Sequence, residues 1–406
     1  MIELLFVFML FVFARAGGWL AQRASIEMAV GEILAGVLMA AIIPFLPNPI
    51  SAETVFHGNG LLEHTIVLSV GVLMLLAGIE LKPQMLASRM SSSLIVAVGG
   101  SALPFAAGSG LAWIALPEGP NHLGLSLITG LALSITAIPA TIKILEEFKL
   151  LTSSMGASII TAALLDDVIG LVLMAIVITI ATASVAPTAI DVFWILGKVA
   201  VFFGIAIGLG NHVFPHLRRT LHAVDAASVE LSVLIFVAFL YAMLAEFLGL
   251  HWILGPFMAG LFFEPARVGA KAYIETRSTM SVISGAALGP LFFASIGLNV
   301  DIFAVWAAPL FLGALIAVAL LGKIIGAGGA ARAAGFENKE AVAIGIGMSA
   351  RGAVEIVILN IALGAGIFVF NSGNPIADNL FSFLVIAAVV TTMLVSPLMR
   401  VVLRKE

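Results

Sequence analysis

Long apolar stretches recur along the whole chain and are separated by short polar connections. Most extend over about 20 residues, the length that an α-helix needs to cross a bilayer. The two-residue alternation typical of membrane strands does not occur, so we do not expect a β-barrel. The pattern predicts an all-α polytopic membrane protein with thirteen transmembrane helices, at roughly 3–22, 28–46, 62–81, 91–115, 122–145, 152–182, 189–210, 227–248, 250–263, 281–299, 304–331, 339–368 and 379–402.

Composition agrees with a lipid environment. Hydrophobic residues make up 61% of the 406 residues and charged residues only 10%, whereas a soluble domain has about 25% charged residues. The net charge of −4 and the lack of a basic block give no reason to expect a nucleic-acid partner. Because the chain has no cysteine, disulfides, thiol nucleophiles and thiolate metal sites are excluded. Residues 1–22 lack a basic start and are interpreted as a first span, not a cleaved signal.

The basic residues predict an orientation. Fifteen of the 19 Lys and Arg residues lie in alternate connections or in the C-terminal tail, while the other connections contain neither residue. By the positive-inside rule the basic side is cytoplasmic. We therefore expect a multi-pass protein of the cell (inner or plasma) membrane, with its N-terminus outside and its C-terminus in the cytoplasm. Four basic residues remain within spans, and the one closest to an inner end, Arg15, is expected to extend to the interface.

Two short motifs indicate an internal repeat. "GEILAG" at 31–36 is matched by "GPFMAG" at 255–260, and "LLAGIEL" at 75–81 by "FFASIGL" at 292–298. The matches pair spans 1–6 with spans 8–13 and leave span 7 as a connector. An offset of seven spans is odd, so the second copy would be inverted in the membrane. Two inverted six-helix repeats are typical of transporters, whose substrate sites lie at broken helices near the midplane.

The repeat also indicates where helices are discontinuous. Span 5 contains Ser134, Thr136 and Pro139 at its centre, and its counterpart, span 12, contains Arg351 and, one turn later, Glu355. Proline removes a backbone donor, and unpaired backbone groups are tolerated in hydrocarbon only where protein or a water-filled cavity satisfies them. We expect the two spans to be crossed discontinuous helices that meet near the site. The alternative is a pair of kinked helices that pack tightly without a site.

The sequence "AALLDDVIGL" places two carboxylates, Asp166 and Asp167, near the middle of span 6. An ionisable group at that depth costs at least ~2.5–3.5 kcal/mol. Each acid is therefore expected to have a structural or functional role. Lys323 in span 11 is the obvious partner for Asp166, in a buried pair that holds helices together. That pair leaves Asp167 as a surplus carboxylate, which can hold either a proton or a bare cation.

Hard oxygen ligands would suit a small alkali cation at this place. The candidates are the carboxylates of Asp167 and Asp166, the hydroxyls of Thr136 and Ser134, and unwound backbone carbonyls. Competition between a proton and Na⁺ or Li⁺ for one site is the chemistry of ion exchange. No cofactor is expected.

The chain resembles the monovalent cation:proton antiporters, and in particular the NapA-like bacterial sodium/proton antiporters. The resemblance covers nearly the whole chain. The motifs that carry it are "VGEILAGVL", "LMLLAGIEL", "SITAIPA", "LLDDVIGL", "LGPLFFASIGL", "LLGKIIG" and "SARGAVEIVI". The paired aspartates together with the span-11 lysine are typical of the electrogenic members of this family, and the other motifs are shared more widely.

The resemblance implies a homodimer with two kinds of domain. Residues 1–89 and 226–300 would form the dimerisation scaffold, 90–182 and 301–406 the moving ion-transporting core, and 183–225 the connecting span. It also implies that Asp167 is the ion ligand and proton carrier. Lys323 would be the coupling partner of Asp166. Where some relatives have a glutamate directly after Arg-Gly, this chain has Ala353, so a role for Glu355 in supporting the helix crossing is left open.

Together these features favour a transporter over an enzyme. The expected function is electrogenic exchange of cytoplasmic Na⁺ (or Li⁺) for external H⁺. The main alternative is a potassium/proton antiporter or efflux system of the same family. In the members with gated efflux the first aspartate is usually replaced. An organic-anion symporter would not need the Asp-Asp and Lys set. An intramembrane aspartyl protease needs two carboxylates that share a water, whereas adjacent residues on one helix diverge.

Overall fold

The computed structural model describes residues 2–23, 27–42, 60–80, 90–119, 121–137, 141–142, 144–145, 148–150, 153–182, 188–221, 227–368 and 372–403. Regular structure in these residues is helical. In chain order the helices are α1 (Ile2–Arg23), α2 (Met28–Ile42), α3 (Leu61–Glu80), α4 (Met90–Ala115), α5 (His122–Ser134), α6 (Ser154–Ala181), α7 (Ala189–Leu221), α8 (Ala227–Phe247), α9 (Leu254–Phe262), α10 (Pro265–Val268), α11 (Ala270–Ile283), α12 (Gly289–Leu298), α13 (Ala304–Ala307), α14 (Pro309–Ala333), α15 (Asn338–Gly347), α16 (Ala353–Gly364), α17 (Pro375–Asp378) and α18 (Leu380–Leu403).

Nine helical stretches within the described residues are long and apolar enough to cross a membrane. They confirm an all-helical, polytopic membrane protein, whereas the count of thirteen remains a prediction. The tenth predicted span begins earlier than expected. Helix runs without interruption from Ala270 to Leu298, because the π-helical turn Ser284–Leu288 joins α11 to α12. Lys271 and Arg277 therefore lie on a helix and not in a connection.

The chain forms two compact units. Unit 1 consists of Met1–Pro83 and Ala189–Asn299, and unit 2 of Gln84–Thr188 and Val300–Glu406. The long helix α7 belongs to unit 1. The two segments of each unit are distant in sequence, so long-range helix packing holds each unit together.

Glycines allow close helix contacts in unit 1. A methyl group added at Gly36 of α2 would overlap the carbonyl oxygen of Ala294 in α12, and one at Gly297 would overlap that of Ile33. The same reciprocal contact recurs between α3 and α9, at Gly78 and Gly260. Small residues at such crossings let backbones approach closely, which favours helix association in lipid.

A buried carboxylate also lies in unit 1. Glu32 of α2 is 3% exposed, and its Oε1 lies 3.8 Å from Nη1 of Arg15 in α1. The same Arg15 nitrogen donates a hydrogen bond, 3.0 Å long, to the carbonyl of Gly285 in the π-helical turn. Sequence reasoning expected Arg15 only to extend to the interface, because the pairing depends on how α1, α2 and the π-helical turn meet.

Unit 2 is built around α4, α6 and α14. Glycines are again central, since a methyl group at Gly326 of α14 would overlap the carbonyl oxygen of Gly99 in α4. Two interruptions of helix lie in this unit. Helix α5 ends at Ser134 and is followed by extended backbone at Ile135, and residues 348–352 separate α15 from α16. These interruptions bring unwound backbone into the interior of the unit.

Candidate ion-binding site

Helix α6 positions both aspartates in the interior of unit 2. It runs for 28 residues from the N-cap Ser153, whose side chain accepts a hydrogen bond from the backbone N–H of Gly156. Asp166 and Asp167 lie about 20 Å from either end of the helix at a rise of ~1.5 Å per residue. They are 1% and 4% exposed. Water therefore reaches little of either carboxylate, and each requires partners within the protein.

Asp166 has such partners on both carboxylate oxygens. Nζ of Lys323, from α14, donates a hydrogen bond to Oδ2 over 2.9 Å, and the hydroxyl of Ser101, from α4, donates to Oδ1. Lys323 is fully buried. A buried ion pair is stable only where further hydrogen bonds satisfy both members. Asp166 is thus held as a carboxylate by a fixed cation and a hydroxyl.

Lys323 also connects α14 to the interrupted span 5. Its Nζ donates a second hydrogen bond, of 2.8 Å, to Oγ1 of Thr136. Thr136 in turn donates to the carbonyl oxygen of Met348, in the break of span 12, over 2.8 Å. The backbone N–H of Ala137 donates to the carbonyl of Ala350, also over 2.8 Å. The two breaks therefore meet each other, and the lysine contacts one of them directly.

Asp167 has a different environment. Its Oδ1 atom is buried and has no hydrogen-bond partner among the residues that the structure describes. A buried carboxylate oxygen without a donor is expensive unless a proton or a cation neutralises the group. The surplus that sequence reasoning assigned to Asp167 is also seen in the geometry.

Ser134 and Pro139 are two further residues predicted for this site. Ser134 is buried, but its hydroxyl donates to the carbonyl of Leu131 within α5, over 2.8 Å. Pro139 lies outside the described residues. Among the residues described, His, Cys, Asp and Glu side chains form no group of three that could hold a metal ion. An alkali cation here would depend on backbone carbonyls and hydroxyls beside the carboxylate.

Arg351 supports the crossing from the span 12 side. Its Nη2 donates to the carbonyl of Leu133 over 2.6 Å, and its Nη1 donates to the carbonyl of Ala132. Both carbonyls lie in the last turn of α5, where the helix dipole places partial negative charge. Nη1 also lies 3.3 Å from Oε2 of Glu355, which is 1% exposed. The guanidinium thus fixes the end of α5 against the start of α16.

Two contributors were not found from the sequence. Ser101, which donates to Asp166, is one of several serines in the fourth span, and its spacing does not distinguish it. Thr392 of α18 accepts a hydrogen bond from the backbone N–H of Arg351 and donates one to its carbonyl, both over 3.0 Å. Each is a polar residue in an apolar helix, which is a weak signal because serine and threonine also bond within their own helix.

Known proteins share this architecture. The chain is similar to the solved structure of the sodium proton antiporter MjNhaP1 from Methanocaldococcus jannaschii, with a TM-score of 0.73 and 14% sequence identity. The match covers 98% of this chain and 96% of that chain. At that identity the similarity shows the fold alone.

Sequence relatives extend over the same length. The Na⁺/H⁺-K⁺ antiporter GerN of Bacillus cereus is 27% identical over 389 residues, which cover 95% of this chain and 92% of the relative. The Na⁺/H⁺ antiporter NhaS4 of Synechocystis sp. is 29% identical over 398 residues, covering 95% and 93%. The family model described as "Sodium/hydrogen exchanger, transmembrane" matches residues 7–404. The chain therefore belongs to the sodium/hydrogen exchanger family of transmembrane monovalent cation:proton antiporters.

Proposed function

We propose that this antiporter exchanges cytoplasmic Na⁺ or Li⁺ for external H⁺ electrogenically, at a site centred on Asp167. The observation that carries the proposal is the contrast between two adjacent acids. Asp166 accepts hydrogen bonds from Lys323 and Ser101, while Oδ1 of Asp167 is buried without a described hydrogen-bond donor. A buried carboxylate without a donor is stabilised by binding either a proton or a cation, and the two compete for it.

The neighbourhood of Asp167 supports a small cation. Thr136 and the carbonyls at the two breaks offer hard oxygens, the ligands that alkali cations prefer. We propose that Na⁺ is held by Asp167 with a contribution from Asp166, and that the hydroxyls of Thr136 and Ser134 turn towards it on binding.

The coupling to voltage follows from Lys323. A cation arriving beside Asp166 competes with the lysine ammonium for the same carboxylate, so binding weakens the 2.9 Å ion pair. Lys323 can then release a proton as Asp167 releases its own. More than one proton would exchange for one Na⁺, and an inside-negative potential would drive Na⁺ out at ~2.3 kcal/mol per charge per 100 mV.

We further propose that the fold consists of two inverted six-helix repeats. The glycine contacts support this proposal, since α2 contacts α12 as α9 contacts α3. Exchanging span 2 with span 9, and span 3 with span 10, converts one contact into the other, as the sequence repeat requires. The proposed mechanism is alternating access, with unit 2 moving as the transporting core and unit 1 serving as the scaffold of a homodimer. The N-terminus would lie outside and the C-terminus in the cytoplasm.

Potassium is the second candidate for the exchanged cation. The relative GerN is named as a Na⁺/H⁺-K⁺ antiporter. The test is purified protein in proteoliposomes with an imposed pH gradient, to which Na⁺, Li⁺ or K⁺ is added with and without a membrane potential. We expect Na⁺ and Li⁺ to collapse the gradient, faster when the potential favours charge movement. Collapse by K⁺ alone, or a rate indifferent to potential, would contradict the proposal.

A further inference from the structure

A second buried carboxylate without a described hydrogen-bond donor lies in unit 2. Glu355, in the first turn of α16, is 1% exposed, and neither of its carboxylate oxygens has a hydrogen-bond partner within the described part of the chain. It forms a salt bridge with Arg351, whose Nη1 lies 3.3 Å from Oε2 without the geometry of a hydrogen bond. In the same part of the chain Nε of Arg351 also lacks a partner. Buried donors and acceptors left open together are unusual in native structures.

Arg351 has hydrogen-bond partners other than Glu355. Its two terminal nitrogens donate to the carbonyls of Ala132 and Leu133, at the negative end of the α5 dipole. The carbonyls fix the guanidinium whether or not the glutamate carries charge. Glu355 can therefore change its charge without releasing Arg351 from α5.

The other helices around α16 offer little to hold Glu355 as an anion. Helices α5, α6 and α18 pack against α16. Their described titratable side chains are His122 at the start of α5, Asp166 and Asp167 on α6, and Arg400 near the end of α18. His122 and Arg400 lie on turns remote from the crossing. Lys323 of α14 acts on Glu355 through space, but its hydrogen bonds go to Asp166 and Thr136.

We propose that Glu355 is a second proton-binding site of unit 2, in addition to Asp167. A proton taken from water converts its carboxylate to the neutral acid, so that the interior no longer holds an anionic carboxylate without a hydrogen-bond donor. The inference extends the proposed exchange function and rests on it for its role in transport. The proton on Glu355 would be gained and lost with pH alongside the proton on Asp167.

Infrared difference spectroscopy across a pH step tests the binding directly, because a protonated carboxylic acid has a carbonyl band that a carboxylate lacks. The full-length protein would be compared as wild type, Asp167→Asn, Glu355→Gln and the double variant. We expect one acid band to be lost on Asp167→Asn and another on Glu355→Gln, with neither left in the double variant. Glu337→Gln is the matched control, since Glu337 is an exposed N-cap at the start of the same span, and it should keep both bands.

The outcomes separate the two proposals. A band in Asp167→Asn that persists unchanged when Glu355→Gln is added would overturn the inference and leave the exchange proposal standing. Undiminished exchange by Asp167→Asn would remove the exchange proposal and leave the band assignment intact. Should Glu355→Gln fail to fold, Glu355→Asp serves instead, since it keeps a carboxyl group. It should displace the midpoint of the band in pH, and an unmoved midpoint would likewise overturn the inference.

In transport, Glu355→Gln should retain exchange with a displaced pH profile. Glu337→Gln should reproduce the profile of the wild type. A profile unchanged by Glu355→Gln would overturn the role in transport, whatever the spectra give for proton binding.

Discussion

Asp166 and Asp167 follow each other on one helix and yet have different surroundings. Successive helical residues point about 100° apart, so one carboxylate meets α4 and α14 while its neighbour points elsewhere. The hydrogen bonds from Lys323 and Ser101 are bonds to a charged group, each worth roughly 1.5–3 kcal/mol. Asp167 has no described donor on Oδ1. The same residue type thus serves as a structural anion at one position and as a candidate exchange ligand at the next.

Lys323→Gln tests the ion pair at this scale. Removing the ammonium leaves Asp166 as an unpaired buried acid, and breaking one side of such a pair costs about 3–5 kcal/mol. We expect a lower midpoint of thermal unfolding, with exchange retained because Asp166 takes up a proton instead. The response of exchange to an imposed potential should be altered, since one moving charge has been removed.

Lys339→Gln provides the control for this experiment. Lys339 is exposed near the start of α15, so its loss should change neither thermal stability nor voltage response. Wild-type behaviour of Lys323→Gln in both measurements would show that the pair with Asp166 contributes neither to stability nor to the voltage response.

At the scale of helices, glycine contacts decide which elements can meet. Gly297 of α12 lies against the backbone of Ile33 in α2 so closely that a methyl group has no room. We expect Gly297→Ala to destabilise unit 1 by roughly 1–3 kcal/mol, the usual cost of overpacking. Thermal unfolding of the purified protein in detergent measures the effect.

Gly204→Ala is the matched control within unit 1. Gly204 is in α7 and has open space around its Cα, and alanine is the better helix former. Its unfolding midpoint should be unchanged or slightly higher. Equal midpoints for the two variants would show that the close contact of α2 with α12 does not contribute to stability.

The helical class and the break in span 5 could be predicted from the sequence, because apolar length and proline are local signals. The break in span 12 was predicted from its match to span 5 in the repeat. It also identified Asp166, Asp167 and Lys323, since a charge in an apolar span is conspicuous by itself. It did not identify Ser101, Thr392 or the pairing of Arg15 with Glu32. Those contacts depend on which helix faces meet, and that information is not present in local pattern. The start of the tenth span was wrong, since basic residues at 271 and 277 suggested a connection where the helix continues.

The topology of the whole molecule is open to a direct test, since the chain has no native cysteine. A cysteine introduced at Ser372 should react with an impermeant thiol reagent from outside intact cells, and one at Thr220 only after permeabilisation. Five predicted spans separate the two positions, so opposite faces are required. The cysteine-free parent chain should not label. Labelling of both variants from one face would contradict the thirteen-span count.

The proposed exchange depends on one carboxylate. Asp167→Asn keeps the size of the side chain but removes its capacity to exchange a proton for a cation. The decisive measurement is Na⁺-driven proton flux in proteoliposomes containing Asp167→Asn, compared with wild-type protein at the same density and with thermal unfolding as a check on the fold. We predict that the variant is folded and that its flux falls to the level of protein-free vesicles. Flux near the wild-type rate from a folded Asp167→Asn protein would contradict the assignment of Asp167 as the exchange site.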